Sequence, residues 1–112
     1  MVDLVVRKDV RVASPLGLHI RPAYLFARLA SGYEAAVEVI KDGQAVNGKS
    51  VLEILMLAAT QGTLLTVVAR GRDADRALEA LVPLLEQETP PDEPAAPAAA
   101  PRDAMAGQGD GI

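Results

Sequence analysis

Hydrophobic and polar positions along this 112-residue chain change their period several times, and each change predicts an element. Leu4-Val5-Val6 and Val10-Arg11-Val12 are apolar and β-branched with charges between them, which predicts a strand over Leu4–Val12. Lys8-Asp9 is where that strand would break, and Pro15 and Gly17 end it. Pro22, Ala23, Phe26, Ala27 and Ala30 recur at helical spacing, with the proline in the first turn, where its missing N–H costs nothing, and Ser31-Gly32 as the stop. Alternation returns over Ala35–Ile40, and Asp42-Gly43 predicts a hairpin into Gln44-Ala45-Val46. A short helix is predicted after Asn47-Gly48-Lys49, with Ser50 as cap and Glu53 completing a capping box. Thr63–Ala69 is a β-rich run ended by Gly71. Ala74, Ala77, Leu78, Leu81, Val82 and Leu85 then form one stripe of a last helix, from a capping Asp73 to about Glu86. Pro83 inside it predicts kinked or frayed final turns.

The order strand, helix, strand, strand, short helix, strand, helix predicts an α+β open-faced sandwich, a four-stranded antiparallel sheet with the helices on one face. Residues 1–88 would form this domain. Residues 89–112 change abruptly to proline, alanine and glycine without apolar period, and read as a disordered tail or interdomain linker. A loose C-terminus and a tether to a second domain fit that composition equally.

Half the chain is hydrophobic, enough for one small core. No apolar run is long enough to span a bilayer, and Met1 is not followed by the basic start and apolar block of a secretory signal. The chain lacks cysteine, so disulfides and thiolate metal sites are excluded, and a cytoplasmic location without metal or cofactor is expected. A net charge of -4 argues against nucleic-acid binding, and the three aromatic residues, Tyr24, Phe26 and Tyr33, lie outside the predicted strands.

The candidate chemistry sits at the mouth of the first long helix, in Gly17-Leu18-His19-Ile20-Arg21-Pro22-Ala23. A helix start offers backbone N–H groups and the positive end of its dipole to an anion, here from Ile20 and Arg21. A neutral imidazole can attack a phosphoryl donor, a guanidinium can hold the phosphoryl oxygens, and Gly17 permits a tight approach of the chain. Taken bare, a single histidine near a helix start is more often a cap or a packed core residue.

The neighbours change that weighting. The heptapeptide resembles the active-site signature of the histidine-containing phosphocarrier protein (HPr) family of the phosphoenolpyruvate-dependent sugar phosphotransferase system. Asn47-Gly48-Lys49-Ser50-Val51-Leu52 resembles its second signature, around a regulatory serine, and Thr60-Gln61-Gly62-Thr63-Leu64-Leu65-Thr66-Val67 its following strand. The likeness runs from about Val10 to Glu88 in the family's order and spacing. It implies that His19 accepts a phosphoryl group on Nδ1 from phosphorylated enzyme I and passes it to a histidine of an enzyme IIA domain. Arg21 would be the clamp, with Gly17 and Ile20 beside it. Both partners would dock through the first helix and the short helix, at Tyr24, Arg28, Val51, Leu52 and Leu55. For the last three, ordinary core is the competing reading. Ser50 would be phosphorylated where the host has the dedicated serine kinase. A monomer is expected, a carrier within a relay rather than a free-standing enzyme, and the tail points to the HPr module of a multiphosphoryl transfer protein. The alternative within the resemblance is a regulatory HPr-like interaction module that relays no phosphate to sugar. Three positions depart from the family pattern, Leu16, Ile20 and Glu53, and make the site more apolar and less cationic.

Overall fold

Seven elements follow one another in a computed structural model of the protein, which describes residues 4–87. They are β1 (Val5–Arg11), α1 (Ile20–Ala30), β2 (Ala36–Lys41), β3 (Gln44–Asn47), α2 (Val51–Met56), β4 (Leu64–Arg70) and α3 (Ala74–Glu86). The Pro/Ala/Gly-rich stretch 89–112 lies outside the described residues. The strands form one sheet in the order β1-β4-β2-β3, and every neighbouring pair is antiparallel. This is the expected open-faced α+β sandwich, and α1 and α3 pack across its inner face.

Alternation along the strands decides what is buried. Val10, Val37, Val39, Val46, Leu65, Val67 and Ala69 point inward and meet Phe26, Leu78 and Leu81 from the helices. On the opposite face Val68 is also buried, although among the described residues no second layer covers it. Its register neighbours are Arg7 on one side and Glu38 on the other, whose aliphatic stems can shield a valine while their charges stay in water. The Asp42-Gly43 turn has positive φ at both residues, 51° and 83°, the backbone that a two-residue hairpin requires.

Three local expectations are corrected. β1 does not break at Lys8-Asp9. It is an edge strand, so Lys8 reaches solvent, and Asp9 accepts a 2.7 Å hydrogen bond from the Thr66 hydroxyl directly across the ladder. Asp73 stands at the N-cap position of α3 but does not cap it. Its carboxylate accepts instead from the N–H groups of Glu34 and Ala35, at 2.9 and 2.8 Å, tying the α1–β2 connection to the start of α3. The last turn of α3 does not fray at Pro83. The helix continues to Glu86 because Leu84 and Leu85 are buried and the Leu85 carbonyl accepts from Ala13 N–H at 3.1 Å.

Candidate functional site

The segment before α1 is fixed from several sides. Ser14 is a buried polar residue, and it holds the turn by accepting Gly17 N–H on its carbonyl at 2.9 Å and Leu16 N–H on its hydroxyl at 3.3 Å. Leu18 is buried and donates its N–H to the Ala59 carbonyl at 2.8 Å. Gly17 has φ +74°, and a Cβ there would lie 2.5 Å from that same carbonyl oxygen. Only glycine fits both the backbone and the space. The tight approach expected at Gly17 is therefore against the segment that follows α2.

His19 emerges from this anchored turn, half-buried, as the N-cap residue of α1. Its backbone is extended and its carbonyl accepts the first helical bond, from Ala23 at 3.0 Å. Its side chain makes no capping bond. A histidine at a helix start is usually explained by capping or core packing, and neither explanation holds its imidazole here. Ile20 and Arg21 supply the first-turn N–H groups beside it, since Pro22 has none, and both side chains are exposed.

The residues expected to meet partners separate into three groups. Tyr24 and Arg28, one turn apart, are linked by a 3.0 Å bond from the guanidinium to the phenol oxygen. Together with Ala27, Ser31, Lys49 and Val51 they line a shallow groove of about 200 Å³ between α1 and the start of α2. Leu52 stands outside the groove and is 75% exposed, whereas Leu55 is half-buried against the core. Within α2 only Ile54 is fully buried, so a helix apolar on most sides leaves apolar side chains in water.

Sequence reasoning missed two participants. Met56 is 69% exposed and lies one turn beyond Leu52 on the same side of α2. Its signal was the i, i+4 spacing from Leu52, hidden by treating the helix as uniformly apolar. Lys49 was the other: it lines the groove while its ammonium donates to the Tyr33 carbonyl at 2.8 Å. Its partner is 16 residues away, which no local pattern reveals.

Ser50 caps α2 as expected, its hydroxyl accepting from Glu53 N–H at 3.2 Å. The reciprocal half of the capping box is altered. The Glu53 carboxylate reaches past Ser50 to accept from Asn47 N–H at 2.9 Å, because Ser50 N–H is already bonded to the Asn47 carbonyl. Among the described residues no group of histidine, cysteine and carboxylate side chains could hold a metal, and no helix is long and apolar enough to cross a membrane.

His19 thus stands half-buried on an anchored turn at a helix mouth, with the exposed side chains of Leu16, Ile20 and Arg21 near it in the chain. Residues 6–87 match the family model described as the HPr component phosphorylation site of the phosphotransferase system. The chain belongs to the HPr phosphocarrier family. It is 40% identical to the phosphocarrier protein HPr of Haemophilus influenzae over 82 residues, covering 70% of this chain and 96% of that protein. It is 37% identical to the HPr-like protein Crh of Halalkalibacterium halodurans over 83 residues, covering 74% of this chain and 99% of that one. The crystal structure of HPr from Bacillus anthracis superposes with a TM-score of 0.68 at 42% identity, over 70% of this chain and 94% of that one.

Proposed function

We propose that this protein is a cytoplasmic phosphocarrier of the sugar phosphotransferase system, working as a monomer, that accepts a phosphoryl group on His19 from phosphorylated enzyme I and delivers it to an enzyme IIA domain. The observation that carries this reading is an imidazole at a helix mouth which neither caps the helix nor is buried in the core. A ring nitrogen attacks phosphorus, the bond to the donor breaks, and the phosphoryl group comes to rest beside the positive end of α1. Arg21 and the Ile20 N–H stabilise its oxygens, and Gly17 lets the preceding turn sit close. The groove residues Tyr24, Arg28 and Val51, with Leu52 and part of Leu55, meet the partners. Ser50 is the site for a serine kinase, whose added charge would act on that docking face.

A second reading is a regulatory HPr-like module, favoured by the similarity to Crh. Incubation with enzyme I and phosphoenolpyruvate, followed by intact-mass spectrometry, tests the carrier reading at its first step. The carrier reading expects one phosphoryl group on the wild type and none on His19→Ala. A wild type left unmodified under conditions that label HPr of Haemophilus influenzae would overturn it.

A further inference from the structure

Leu16 and Ile20 are large apolar side chains held in water, 77% and 60% exposed, three residues before His19 and one after it. Leu18, between them, is buried. The backbone that carries Leu16 is held, because its own N–H and that of Gly17 are tied to Ser14, and Gly17 packs so closely on Ala59 that a Cβ would not fit. Ile20 is fixed in the first turn of α1. The chain thus flanks His19 in sequence with two exposed hydrocarbon side chains that contribute little to the core.

We infer that Leu16 and Ile20 protect the phosphorylated state of His19 from hydrolysis. This rests on the reading of His19 as the phosphoryl acceptor. Loss of the group requires a water oxygen to attack phosphorus in line as the P–N bond breaks. The bonding pair returns to the ring nitrogen, which takes up a proton, and orthophosphate leaves. Hydrocarbon at residues 16 and 20, where polar side chains would hold water by hydrogen bonds, leaves fewer such places next to His19, and excluding water is a general means of suppressing hydrolysis of a reactive intermediate. The same side chains leave the outward direction open to a partner's imidazole. The side chains of Leu16 and Ile20 therefore set how long the carrier stays charged, while the Ile20 backbone N–H, unchanged in every variant, keeps its place beside the phosphoryl oxygens.

The test needs no partner protein. Potassium phosphoramidate phosphorylates imidazoles directly, its P–N bond breaking with release of ammonia as the new P–N bond forms. Decay of phospho-His19 at neutral pH is then followed by ³¹P NMR in the wild type, in the Leu16→Ser/Ile20→Ser double variant, and in the Leu16→Met/Ile20→Val variant, which keeps the apolar bracket. The wild type and the apolar variant should hold the phosphoryl group at least about threefold longer than the serine variant, a modest difference in barrier height. Equal lifetimes in all three would overturn the inference, as would failure of phosphoramidate to label His19. Both serine substitutions are at exposed positions, and an unchanged melting temperature confirms that the fold is intact. Labelling by phosphoramidate with protected decay, but none by enzyme I, would leave this inference standing and sink the relay.

Discussion

The starts of α1 and α2 are built in opposite ways. At α2 the Ser50 side chain caps the helix, Glu53 closes the corner onto Asn47, and the local polar groups are matched to one another. At α1 the corresponding residue is His19, whose side chain makes no cap, and the turn is held instead from behind by Ser14, Gly17 and Leu18. Support lies on the neighbours of His19 and not on its side chain, as the proposed role of His19 requires.

The largest effect that breaks this comparison is expected at the support. Gly17→Ala meets a backbone oxygen and a positive φ at once, so it should destabilise the protein by roughly 2–4 kcal/mol in urea unfolding. It should also lower phosphoryl acceptance, because the turn that presents His19 must shift. A smaller effect belongs to the cap. Ser50→Ala should lose about 1 kcal/mol, the usual value of an N-cap hydroxyl. His19→Ala, at the equivalent position of α1, should change stability by less than about 0.5 kcal/mol while abolishing phosphorylation. Equal losses at Ser50 and His19 would erase the distinction.

The extent to which these features were legible in the sequence follows from the range of the interactions. The Asp42-Gly43 hairpin and the Ser50 cap depend on neighbours, and each stands as the pattern predicts, whereas the backbone that Gly17 approaches, at Ala59, is distant in the chain. Asp73 and Glu53 were given capping roles because a carboxylate near a helix start is normally explained that way. Both carboxylates instead hold N–H groups outside the helix they begin, and for Asp73 the partners lie 39 and 38 residues away. Lys8-Asp9 looked like a break because charge in a strand is read without knowing that the strand is at an edge. Leu52 and Met56 could be identified as exposed only once Ile54 was seen to take the buried side of α2.

Asp73 gives the smallest expected effect, and a pH-dependent one. Its carboxyl is held below its ordinary 3.8, chiefly by the Glu34 N–H; desolvation opposes this, and the Ala35 N–H, its own N–H and Arg76 add to the lowering. Because folding lowers this value, the stabilisation is fully present above the ordinary value and is lost as pH falls through the depressed one. Acid titration of the unfolding midpoint should therefore show a steeper loss below the ordinary carboxylate range in the wild type than in Asp73→Asn. Superimposable acid limbs would show that this tie carries no linkage.

The central claim is that His19 is unburdened structurally so that it can take up a group and give it away. It is tested most directly by a chase. The wild-type protein, labelled on His19 with ³²P from enzyme I and phosphoenolpyruvate and then separated from both, is mixed with an enzyme IIA domain. The account predicts that the label leaves this chain and appears on the domain faster than it is released as orthophosphate. Label that stays on His19, or leaves only as orthophosphate, would contradict it.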